Sequence, residues 1–138
     1  MMQISDTTRT FCGISLLIVP AIEYGGVLLL RAVVKRESRG NATRRRMARA
    51  GHAHVGVLLI LSLICQMLVD SISRTSTASL FIRIGLLIGS LLVPTGFLLS
   101  TGAPSSKQPE GAIQIVFAGD FILAVCVVTL GAELLMAA

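Results

Sequence analysis

RRRMARAGHAHVGVLLILSLICQMLV, residues 44–69, is the stretch that decides what kind of object this chain is. Arg44, Arg45, Arg46 and Arg49 give way at once to residues 50–69, which hold two histidines but no acid, lysine or arginine. About 20 apolar residues cross the ~30 Å hydrocarbon core of a bilayer as a helix. Cations crowded at one end of such a run mark the side that stays in the cytoplasm. The stretch therefore reads as a basic loop entering a transmembrane helix.

Working outward, three more blocks of the same kind appear, at 11–34, 79–101 and 111–137. Of the 138 residues, 54% are hydrophobic and 14% charged. Soluble domains carry about 25% charged residues, so this chain lacks the polar surface to cover a water-soluble globule. The expected fold is all-α: a polytopic membrane protein with a single domain over 1–138, a bundle of four transmembrane helices. The order of charge and apolar run at the first block, with Glu23 interrupting it, is the reverse of a cleaved signal peptide. Cys12, Cys65 and Cys126 lie within spans and read as small apolar packers rather than a disulfide framework.

The net charge is +5, concentrated in Lys35, Arg36, Arg39, Arg44, Arg45, Arg46 and Arg49 against one acid, Glu37. The positive-inside bias puts this basic loop, 35–49, in the cytoplasm together with the third loop around Lys107. Both termini and the second loop, with Arg74, then face out, and the expected location is the cell membrane, multi-pass. The partners this implies are the lipid bilayer and anionic lipid headgroups at the basic loop. Nucleic acid is not expected, because no aromatic residues interleave with the cations. Gly85 and Gly89 have the small-xxx-small spacing that lets helix backbones approach; Gly25, Gly26, Gly56, Gly119, Ala124 and Gly131 suggest similar contacts, within the chain or in a homo-oligomer. Pro20 and Pro94 are expected to kink their helices.

Ionisable residues inside a span cost at least ~2.5–3.5 kcal/mol at the helix centre, so each one calls for a reason. The candidates are Glu23, His52, His54 and Asp120, with Arg31, Arg83 and Glu133 more peripheral and Gln66 and Gln114 adding neutral polarity. Positions two apart on a helix differ by about 200°, so His52 and His54 point in nearly opposite directions and cannot chelate as a pair. His52 shares its stripe with Gly56, Leu59, Ser62, Gln66 and Asp70, as a bundle interior should. His54 shares its stripe with Val57, Leu61, Ile64, Cys65 and Leu68, as a lipid or subunit face should, and is the weaker site candidate. At 1.5 Å per residue, Glu23 lies roughly 18 Å from Lys35 and Asp120 about 13 Å from Gly111, similar depths, with His52 only about 5 Å beyond Arg49.

If spans one and four are neighbours, the two carboxyls can meet, and a shared proton or a cation must then relieve their repulsion. Glu23, His52 and Asp120 are accordingly the expected site, binding a divalent metal ion or relaying protons or ions. Haem ranks below this, because both histidines sit on one span. The alternative is a non-catalytic subunit or assembly factor of a larger membrane complex. An enzyme ranks third, since no nucleotide loop, CxxC or HExxH motif is present.

The segment Arg49-Ala-Gly-His52-Ala-His54-Val-Gly56, with Pro20-Ala-Ile-Glu23-Tyr-Gly-Gly26 before it and Pro94-Thr-Gly-Phe-Leu-Leu-Ser100 after it, resembles a group of small bacterial four-span integral membrane proteins that share an RAGHAHxG segment. The resemblance covers spans one to three. It implies the fold and a bacterial inner membrane, and no activity. The His-x-His at a helix start is also similar to haem-bearing helices of respiratory oxidases, from which this chain departs in carrying no second histidine-bearing helix.

Overall fold

The computed structural model describes residues 4–34, 42–72, 76–100 and 110–137. Four helices follow in chain order: α1 (Asp6–Val34), α2 (Ala42–Val69), α3 (Ser76–Ser100) and α4 (Glu110–Met136). All four are long and apolar enough to cross a membrane. The chain is a multi-pass membrane protein built as a four-helix bundle, with no strand among the described residues. A bilayer offers no partner to a free backbone amide, so an apolar run of this length is satisfied only by bonding within itself as a helix.

All four helices begin earlier than hydropathy suggests, α4 by a single residue. α2 is the clearest case: it starts at Ala42, so Arg44, Arg45, Arg46 and Arg49 are helical, not loop. Arginine and methionine are good helix formers, and long basic side chains can reach water from a helix shoulder. Hydropathy marks where hydrocarbon begins, which is not where hydrogen bonding stops. The rest of the expected basic loop (Lys35, Arg36, Glu37 and Arg39) and the third loop with Lys107 lie outside the described residues.

Contacts are strongest between α3 and α4, then α2 and α3, and weaker between α1 and α2; among the described residues α1 and α4 do not touch. The two outer helices thus flank the α2–α3 pair, α4 tightly and α1 loosely. A buried cluster of Cys65, Val69, Ile72, Ile82, Leu86, Leu123, Cys126 and Leu130 joins α2, α3 and α4 toward the end where α2 finishes and α3 begins. Cys65, expected on a lipid face, belongs to this core. Outward, the bundle presents side chains such as Leu17 (81% exposed) and Phe121 (71%), as a lipid-bathed surface allows.

Glycine sets the α3–α4 approach. A Cβ on Gly96 would lie 2.8 Å from the Val116 amide nitrogen and 2.9 Å from the Ala112 carbonyl oxygen. One on Gly119 would lie 2.9 Å from the Val93 nitrogen, and one on Gly89 3.0 Å from the Gly119 oxygen. These neighbours are backbone and cannot step aside. The expected close contacts at Gly56 and Gly131 are not made, since each has nothing within 4 Å. Spacing alone does not say which face of a helix meets a neighbour.

Overpacking costs about 1–3 kcal/mol. Gly96→Ala and Gly119→Ala should therefore lower the unfolding free energy in mixed micelles by that amount, while Gly56→Ala and Gly131→Ala leave it unchanged or raised. Equal effects at all four positions would refute the backbone contact.

Candidate functional site

Most of the polar side chains buried in this bundle lie toward one end, around Arg83, with Ser90 and Ser100 farther along α3. That arginine sits in the second turn of α3 and is 4% exposed. Its Nη2 donates to Asp70 Oδ1 at 2.5 Å, and its Nη1 donates to the Gln66 carbonyl oxygen at 2.8 Å and to Gln66 Oε1 at 3.2 Å. Gln66 returns a bond from Nε2 to the Arg83 carbonyl at 2.9 Å. α2 positions these partners one turn apart, so Gln66 and Asp70 share a face.

The first turn of α1 closes the arrangement. Ser5 is the N-cap: its Oγ accepts from the Thr8 amide at 3.1 Å, relieving one of the unpaired donors at a helix start. The Ser5 amide and hydroxyl donate to Asp70 Oδ2 and Oδ1, both at 2.9 Å, and Thr8 Oγ1 donates to the Gln66 carbonyl at 3.4 Å. Burial alone would raise the Asp70 carboxyl above its ordinary value of 3.8, but the Ser5 amide, the Thr8 and Ser5 hydroxyls and the Arg83 guanidinium together lower it. The carboxylate is held ionised by donors from the start of α1 and from α3. One turn deeper on the same α2 face, the buried Ser62 Oγ has no hydrogen-bond partner, whereas Ser15, Ser90 and Ser100 each bond back to their own helix.

At the opposite end of the bundle, His52 is half-buried and turned toward α1. Its Nε2 would lie 3.0 Å from a Cβ on Gly26, so Gly25 and Gly26 leave room for the ring. His54 is exposed on the other side of α2; its Nδ1 donates to the Ala50 carbonyl at 2.7 Å, and its ring lies 5.0 Å from that of Phe97. A cavity of about 640 Å³ opens beside His52, between α1, α2 and α3.

Glu23 and Asp120 are not brought together within one chain. Both are exposed, and the helices that carry them do not touch. Their expected equality of depth does hold. Gly26 faces His52, Gly51 meets Pro94 and Phe97, and Gly119 meets Leu92 and Val93. Tracing these contacts across the bundle puts Glu23 and Asp120 on one level to within about one turn, ~5 Å. Among the described residues no group of three or more His, Cys, Asp or Glu side chains is placed to hold a metal ion. Between His52 and Ser62 the described interior is filled by Leu59, Leu86 and Val93, with Ser90, whose hydroxyl is bonded to the Leu87 carbonyl of its own helix.

Sequence reasoning read Arg83 as peripheral and put Asp70 at the end of the inward stripe of the second span without a partner. The signal for their pairing was the Ser62-Gln66-Asp70 stripe on α2, which has to face something polar.

Removing one partner of a buried ion pair costs roughly 3–5 kcal/mol, whereas replacing both with apolar residues is close to neutral. Arg83→Met or Asp70→Asn should lose that much, and Arg83→Met combined with Asp70→Leu should recover most of it in chemical unfolding. The lowered Asp70 value also fixes a pH dependence. Its stabilisation is complete above 3.8, the unfolded-chain value, and disappears as pH falls through the lower folded value. A melting temperature that falls below about pH 4 in wild type, and falls less in Asp70→Asn, is the expected result.

No family model matches the chain, and no curated protein or solved structure matches it either.

Proposed function

We propose that the chain is a non-catalytic subunit of a larger membrane assembly, and that α1 and α4 are the faces by which it associates. The observation that carries this reading is the outward direction of Glu23 and Asp120 on the two helices that flank the bundle. An acid facing hydrocarbon at the helix centre is unfavourable by at least ~2.5–3.5 kcal/mol, and a neighbouring helix that covers it removes that cost. Tyr24, Val27 and Leu30 surround Glu23, and Phe117, Phe121 and Val128 surround Asp120, so each acid sits in an exposed apolar field. The arginine-bearing end of α2 is assigned to the cytoplasmic side of a bacterial inner membrane by the positive-inside bias, with both termini outside.

The equal depth of the two acids favours one particular arrangement, α1 of one copy against α4 of the next. Such a head-to-tail contact closes into a ring or continues as a filament. It would set Glu23 beside Asp120 of a second copy, and two carboxyls at one level need a shared proton or a bound cation between them. The ion-binding or proton-conducting reading is thereby kept, relocated from the interior of one chain to the seam between two.

The test is native mass spectrometry of the protein released from mild detergent, beside Glu23→Gln, Asp120→Asn and the two leucine variants. A homo-oligomer, or a stoichiometric membrane partner, is expected in wild type and should be weakened in Glu23→Leu or Asp120→Leu. The seam-site reading adds loss of proton or cation flux in proteoliposomes of the Gln and Asn variants while assembly persists. A monomer without partner in detergent and in nanodiscs would refute the subunit reading.

A further inference from the structure

We infer that the seam between copies is closed by two protons, one on Glu23 and one on Asp120 of the next copy, so that assembly takes up protons and reverses as pH rises. This closure rests on the head-to-tail meeting of α1 and α4 and names what occupies their meeting point. Both acids are exposed, and neither makes a hydrogen bond or an ion pair among the described residues.

The surroundings decide what can neutralise them. Along α1 the nearest charge to Glu23 is Arg31, eight residues and about 12 Å away. The adjacent Tyr24 is a neutral phenol at ordinary pH. On α2, His52 lies on the inner side of α1 against Gly25 and Gly26, with Arg49 about one turn further toward the arginine-bearing end. α3 brings only neutral side chains to this stretch of α1: Leu91, Pro94, Thr95 and Leu98. Along α4, Glu110 and Glu133 stand about 15 Å and 20 Å from Asp120. On the helices packed against α4, His54 lies against Phe97, about one turn from the level of Asp120, and Arg83 is committed to Gln66 and Asp70. Among the described residues no cation is held against either acid.

A metal ion is poorly served at such a seam. Calcium takes about six to eight oxygens, and zinc about four ligands, usually with nitrogen or sulfur among them. Two carboxylates bring two oxygens each, and Val27, Leu30, Phe117 and Phe121 beside them bring none. One shared proton leaves a net negative charge in hydrocarbon, which is unfavourable. Two protons leave no charge. Each carboxyl then donates one O–H and accepts another, so the pair satisfies itself through two reciprocal bonds. Those bonds exist only in the protonated pair, which links assembly to protonation. Wherever the separated acids are ionised, each seam takes up to two protons, and its association constant falls by up to about a hundredfold per pH unit.

The test is sedimentation equilibrium in density-matched detergent from about pH 5 to about pH 9, with and without a chelator. The loss of the Asp70 clasp lies below this window. Wild type should dissociate as pH rises, more steeply than about tenfold per unit, and chelator should change nothing. Glu23→Gln combined with Asp120→Asn replaces the acids with amides that donate and accept without titrating, and should stay assembled throughout. Each single amide variant should retain a dependence of no more than about tenfold per unit. His52→Gln and His54→Gln should keep the wild-type profile. Assembly of wild type that is indifferent to pH would overturn the two-proton closure and leave the subunit reading standing. Dispersal by chelator, or an unchanged pH profile in the double amide variant, would overturn it as well. A monomer at every pH would remove the subunit reading and the closure together.

Discussion

A guanidinium inside an apolar helix cannot lose its charge and presents five donors that all need acceptors. Arg83 imposes that demand here, and the bundle is arranged around meeting it. Gln66 answers with its side-chain and backbone oxygens, which fixes the register of α2 against α3. Asp70 answers with a carboxylate, and that carboxylate in turn needs donors, which Ser5 supplies at the start of α1. One buried cation thus ties together three helix ends. The isolated pair would be poor stabilisation, because desolvation offsets most of its Coulomb gain. It is favourable as a network in which nearly every polar atom is satisfied, and it specifies which helix ends meet.

The two halves of the molecule are consequently held by different forces. α3 and α4 are joined by backbone approach through Gly89, Gly96 and Gly119, a contact of dispersion with no directional bond. α1 is held by direction instead: a polar clasp at its first turn, and the His52 ring against Gly25 and Gly26 further on. Between and below those points little apolar surface on α1 is covered by the chain. A helix attached at a few points is the one that can stand away and leave a slot, and it is the one whose outer face remains for a neighbour.

The number and approximate place of the helices were legible in hydropathy, because four runs long enough to span a bilayer have few other solutions. Their starts were not legible, because Arg44 to Arg49 are polar yet helical, and a charge says nothing against a helix outside hydrocarbon. The inward face of α2 could be read from the spacing of His52, Ser62, Gln66 and Asp70. Its partner could not, because Arg83 lies beyond a turn and its direction depends on how α3 is rotated. The same limit governs Glu23 and Asp120. Their depth followed from residue counts, but whether they meet depended on the order of helices around the bundle, and α1 and α4 fall on opposite flanks.

That division between an interior arginine and outward acids has a thermodynamic logic. Arginine stays charged under all ordinary conditions, so a chain inserting alone must satisfy it from its own residues. A carboxylic acid can shed its charge by taking a proton and so can face a less polar surrounding until a partner arrives. In this chain the obligatory charge is enclosed by donors and acceptors from α1, α2 and α3, all available before any assembly. Asp70 is part of that enclosure, while Glu23 and Asp120, which can be neutralised by a proton, are left on the flanks, where a neighbouring copy or subunit can reach them. An inward acid and an outward arginine would reverse this and leave a single chain in the bilayer with a charge it could neither satisfy nor discharge.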